Sequence, residues 1–110
     1  MPLNSRVKGK VGELELAAYL RKQGFPCRRG QQFKGGANSP DILGECPGLQ
    51  DIHIECKRVE AGNPYVWLRQ AKKDAGPVKV PVVMHRKSFQ DWIVVMSLDD
   101  FLNYALTRSA

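Results

Sequence analysis

Apolar residues recur at helical spacing at the start of the chain. Over about residues 5–22, Val7, Val11, Leu14, Leu16, Ala17, Ala18 and Leu20 fall on one broad arc, with Lys8, Glu15 and Lys22 opposite. Asn4 or Ser5 can cap this helix, and Gly24 ahead of Phe25-Pro26 ends it. Residues 25–29 are a short strand candidate, and 30–40, rich in glycine and polar side chains, read as a loop. Two neighbouring strands follow at 41–44 and 51–58, joined by a turn at Cys46-Pro47-Gly48. Strict alternation in the second sets Ile52, Ile54 and Cys56 on one face and Asp51, His53, Glu55 and Lys57 on the other.

Asn63-Pro64 then forms an N-cap and first-turn pair, opening a helix that runs to Gly76 and carries Trp67, Leu68 and Ala71. Residues 80–85 and 92–96 are apolar and β-branched without alternation, the pattern of strands buried on both faces. Ser97, with Asp100 three residues on, caps a last helix whose Leu98, Phe101, Leu102, Ala105 and Leu106 lie on one side. The order is helix, three strands, helix, two strands, helix. Helices must cover both faces of a central sheet, so the expectation is an α/β sandwich of three layers around a mixed sheet of about five strands.

At 110 residues the chain suits one domain, and its 43% apolar and 25% charged residues are ordinary globular values. Its apolar runs are far too short to span a bilayer, which points to a cytoplasmic protein. Charge is more telling. The net value is +6, yet residues 1–90 hold 16 basic and 8 acidic side chains while 91–110 hold 1 and 3. A basic body fits a polyanion such as nucleic acid, although a high isoelectric point also occurs without one. Cys27, Cys46 and Cys56 form no C-x-x-C pair, so reduced thiols are expected rather than disulfides or a zinc cage with His53 or His85.

The acids carry the chemistry. Glu13 lies inside the apolar arc of the first helix, with Leu16, Ala17 and Leu20 at i+3, i+4 and i+7. A carboxylate there either reaches water at the stripe's edge or finds a partner, because an unpaired buried charge is costly. Glu15 points away, where it can pair with nearby lysines. Adjacent strands can bring Asp41 and Glu55 close enough to share a hard cation such as Mg²⁺, which accepts two or three carboxylates and a backbone carbonyl and keeps several waters. Such an ion activates water and polarises a phosphoryl oxygen, and Lys57 beside it adds fixed positive charge. A half-exposed strand with a surface ion pair has the same pattern. His53 shares the Glu55 face, in reach of DNA or a metal-bound water. It and His85 equally suit structural or solvated histidines, and neither enters the expected site.

Pro40-Asp41, followed fourteen residues after the aspartate by Glu55-Cys56-Lys57, resembles the PD-(D/E)xK nuclease signature. Arg6-Val7-Lys8-Gly9, then Glu13 and Gly24-Phe25, is similar to the opening helix of archaeal Holliday junction resolvases. With Arg29-Gly30-Gln31-Gln32-Phe33, Gly35-Gly36, Ser39, His53-Ile54, Arg58, Gln70-Ala71, Asp74-Ala75-Gly76 and His85-Arg86, the likeness extends to the small resolvase-like nucleases of bacteriophages and prophages, over about residues 5–103. The resemblance implies a restriction-endonuclease-like fold and Mg²⁺-dependent cleavage of branched DNA by a homodimer, with Mn²⁺ able to substitute, in the cytoplasm of the host cell if the protein is phage-encoded. It makes Asp41 and Glu55 metal ligands, with the Cys56 carbonyl a third. Glu13 would help bind the metal or its water, Lys57 would orient the nucleophile or stabilise charge, and Gln70 would approach from the next helix. Arg28, Arg29, Lys34, Arg58, Arg69, Lys72 and Lys73 are then the candidate phosphate contacts. The alternatives are the same chemistry on nicks, flaps, duplex or single strands, and a DNA-binding module without catalysis.

Overall fold

The first helix, α1 (Ser5–Lys22), stops where the sequence supplies a residue able to turn left-handed: Gly24 adopts φ +94°. Its N–H donates to the Arg21 carbonyl at 3.0 Å, and the next N–H, of Phe25, donates to Leu20 at 3.0 Å, so the last carbonyls are satisfied by a Schellman turn. The computed structural model describes residues 5–30 and 40–106. After α1 come β1 (Cys27–Arg29), β2 (Ile42–Gly44), a 3₁₀ turn (Leu49–Asp51), β3 (Ile52–Arg58), α2 (Pro64–Ala75), β4 (Val80–Arg86), β5 (Ile93–Val95) and α3 (Leu98–Phe101), which continues as a π turn (Leu102–Leu106). Asn63 caps α2, its side chain accepting from the Tyr65 N–H at 2.9 Å. Ser97 caps α3 through the Asp100 N–H at 3.2 Å.

The strands form one mixed sheet in the order β1-β2-β3-β4-β5. Only β3 and β4 run parallel, with Lys57 beside His85 and Glu55 beside Val83. A parallel pair requires a crossover, and α2 provides it. One face of the sheet, carrying Ile42, Ile54, Cys56 and Met84, packs on Leu16, Ala17 and Leu20 of α1. The other packs on α2, where Ala71 and Val83 are fully buried and the Trp67 ring lies 4.7 Å from that of His85. This is the three-layer α/β arrangement of restriction-endonuclease-like folds.

Three expectations need correction. The buried stripe of α1 is narrower than the apolar arc: Gly12, Glu13, Leu16 and Ala17 are buried, while Val7, Val11, Leu14 and Ala18 are exposed. Three-residue β1 and β2 give that helix little sheet to cover on its far side. The strand at 92–96 is not central. As β5 it closes one edge of the sheet, and Ile93 and Val94 are more than half exposed. The apolar side of the last helix is likewise open, with Leu98, Phe101, Leu102 and Leu106 all exposed.

Candidate active site

Asp41 stands just before β2 and is fixed from three directions. Its N–H donates to the Ile54 carbonyl at 2.9 Å, its carbonyl accepts from the Gly30 N–H at 2.8 Å, and its Oδ2 accepts from the Cys56 N–H at 2.8 Å. The pairing of Ile42 with Ile54 sets Asp41 opposite Glu55. Asp41 is buried, and burial followed by the negative charge of Glu55 pushes its carboxyl up to about 7. The Cys56 N–H and the Lys57 ammonium pull the other way, but less strongly than burial does. Burial and the neighbouring Glu55 carboxyl, within hydrogen-bond reach, therefore favour the protonated form of Asp41.

Glu55 sits mid-strand with its Oε1 2.8 Å from His53 Nε2. Lys57 follows on the same face, and its carbonyl accepts from His85 Nδ1 at 2.7 Å. The Cys56 thiol turns the other way, toward α1, and burial first, then the charges of Asp41, Glu13 and Glu15, push it up to about 12. The thiol therefore stays protonated and is no thiolate ligand. The Cys56 carbonyl, by contrast, leaves the strand on the same edge as the N–H held by Asp41.

Glu13 faces inward and has a partner: Arg29 of β1 donates from Nε to Oε1 at 2.7 Å. Burial and the Asp41 charge raise the Glu13 pKa, and Arg29 opposes both. The charge of Asp41 thus reaches across to α1, and Glu13, Asp41, Glu55 and Lys57 form one electrostatic group. Among the described residues, no three His, Cys, Asp or Glu side chains converge into a cage. Two adjoining carboxylates and one backbone carbonyl suit a hard cation that keeps its waters and do not suit zinc. A cleft of about 650 Å³ is lined by Lys8 and Gly9 of α1 and by residues 56–60, so it takes in Lys57 but not Asp41 or Glu55 themselves.

A family model for the archaeal Holliday junction resolvases (Hjc) matches residues 4–75. The chain belongs to that family. Its members are junction-resolving nucleases, and the Hjc match spans α1 to the end of α2, so it contains Glu13, Asp41, Glu55, Lys57 and Gln70. It stops short of β4, leaving His85-Arg86 outside. Comparison with curated proteins and with solved structures gives no significant match.

The candidate phosphate contacts divide. Arg69, Lys72 and Lys73 are exposed on α2 and make no ion pair among the described residues. Arg28 is exposed on β1, 3.7 Å from Glu45. Arg29 is turned inward to Glu13, and Arg58 is held by Glu15 and Glu60, each at 3.1 Å. Lys34 lies outside the described residues. Gln70 is exposed, its amide donating to Asp74 at 3.1 Å along its own helix rather than to the carboxylates.

Sequence reasoning missed two supports. Glu15 does not meet lysines: it gathers Arg58 and Arg86, while Glu60 ties Arg58 to Ser88, so one ionic clasp joins α1 to the ends of β3 and β4. Gly30 is the other. It is buried, and a Cβ there would overlap the Pro40 carbonyl oxygen. Gly30→Ala must shift the Pro40-Asp41 backbone and disturb the placement of Asp41 relative to Glu55. The expected cost is about 1–3 kcal/mol in urea melts, with weaker Mg²⁺ protection against unfolding.

Proposed function

We propose that this Hjc-family nuclease hydrolyses phosphodiesters in branched DNA with Mg²⁺ held by Asp41, Glu55 and the Cys56 carbonyl, Mn²⁺ serving in its place. The observation that carries the reading is the pairing of buried Asp41 with half-buried Glu55 across adjacent strands, two residues from Lys57. When bound, such a cation supplies the positive charge that lets both carboxylates ionise and that polarises a phosphoryl oxygen. Lys57 adds a second positive charge where the phosphoryl group gains negative charge in the transition state. Glu13, neutralised by Arg29, borders the same group and helps to hold the cation or its water.

Phosphate contacts come from Arg69, Lys72 and Lys73 on α2 and from Lys8, exposed on α1 and lining the cleft. Affinity then falls steeply with salt and is largely independent of sequence. Four-way junctions have two-fold symmetry, so a homodimer would present one site to each of two strands. A DNA substrate sets this work inside the cell, and no helix among the described residues is long and apolar enough to cross a membrane.

A gel assay on a labelled four-way junction, a linear duplex and a single strand, each in Mg²⁺ and in EDTA, tests this. Paired symmetrical cuts confined to the junction, absent in EDTA, are expected. Cutting of every substrate would keep the site and remove junction selectivity. Tight binding without cutting would make the chain a DNA-binding module.

A further inference from the structure

His53 is 2% exposed, the second residue of β3, next to the fully buried Ile54. A buried imidazole needs a partner for its polar edge, and here that partner is the Glu55 carboxyl, 2.8 Å from Nε2. With a carboxylate as partner, which only accepts hydrogen bonds, the donor of this bond would be His53 Nε2–H. The two residues are i and i+2 on one strand, so their side chains stand on the same face and the bond spans a fixed backbone spacing.

Asp41 is held in the matching way, its Oδ2 taken by the Cys56 N–H. Each carboxyl of the pair therefore has one oxygen fixed by a protein donor. An orienting donor of this kind removes rotational freedom from the ligand and typically changes metal affinity by about 10–100-fold.

We propose that His53 is a positioning residue that fixes the Glu55 carboxylate for the cation, acting through its Nε2–H rather than on DNA. The proposal rests on the metal reading above, and its test separates the two. Mn²⁺ affinity is measured on the DNA-free protein by electron paramagnetic resonance for wild type, His53→Phe, His53→Gln and Glu55→Ala. Phenylalanine keeps the ring volume without the donor, and glutamine restores an N–H near the Nε2 position. Loss of about 10-fold or more in His53→Phe, recovered to within a few-fold in His53→Gln, is expected. Equal affinity in all three His53 forms overturns the positioning role. Wild-type binding no tighter than that of Glu55→Ala overturns the metal reading instead.

The His53–Glu55 bond has a readout that needs neither metal nor activity. Ring ¹⁵N spectra of the wild-type protein should show a protonated, slowly exchanging Nε2 on His53, displaced in Glu55→Ala. An unprotonated Nε2, or a signal indifferent to Glu55, removes the bond and the proposal with it. This second measurement decides the matter even where His53→Phe does not fold.

Discussion

Exchange of Asp41 for asparagine should make the metal-free protein more stable at pH 8 while abolishing DNA cleavage. Asp41 is buried beside Glu55, and its carboxyl titrates near about 7 in the folded protein against 3.8 in an unperturbed chain. Between those values the native state keeps a proton that the unfolded chain has released. The stability associated with that proton is complete below about pH 4, declines as pH rises, and is lost once pH passes about 7. Asparagine carries no charge at any pH. Its oxygen can still accept from the Cys56 N–H, and its amide can donate to Glu55, turning a repulsion into a hydrogen bond. The gain at pH 8 is on the order of a few kcal/mol, or roughly 5–15 °C in Tm for a domain of this size.

Thermal melts in EDTA from pH 4 to 8 check this through the difference between the two proteins. Wild type should lose Tm relative to Asp41→Asn as pH rises, and a constant difference would sink the idea that Asp41 holds its proton to about pH 7. Added Mg²⁺ should then raise the wild-type Tm at pH 8 and leave Asp41→Asn unmoved. Below about pH 6 the effect on wild type should fade, because proton and cation compete for the same oxygens.

Much of this site was legible in the chain, and the limits have physical causes. Alternation over β3 put Glu55, Lys57 and His53 on one face because side chains on a strand have a strict period of two. The inward position of Glu13 followed equally from helical period. Its partner did not: β1 has only three residues, too short for periodicity to say which arginine turns in and which turns out. Arg29 was therefore expected on DNA and is found on Glu13. Glu15 shows the same limit, since its partners Arg58 and Arg86 lie 43 and 71 residues away. β5 failed for another reason. An apolar run reports on side chains and is silent about strand order, so a central strand and an open edge look alike until neighbours are known.

Loss of Lys57 should separate catalysis from cation binding. Lys57→Ala is expected to lower the cleavage rate by about 10²–10³-fold, as removal of one preorganised transition-state charge typically does. Mn²⁺ binding to the DNA-free protein should survive, because Lys57 is no ligand and His85 still holds the residue-57 carbonyl in register. Glu55→Ala, in contrast, should lose both. Lys57 also lowers the pKa of Asp41, so its removal leaves that carboxyl protonated to higher pH. The pH at which Mn²⁺ binding is half-maximal should consequently move up in Lys57→Ala, the reverse of the shift expected if Lys57 merely repelled the cation. Rates in single-turnover cleavage and Mn²⁺ titrations at pH 6, 7 and 8 measure both quantities on the same preparations. Wild-type cleavage by Lys57→Ala would take this residue out of the chemistry, and cleavage by Glu55→Ala would move the active site elsewhere on the chain.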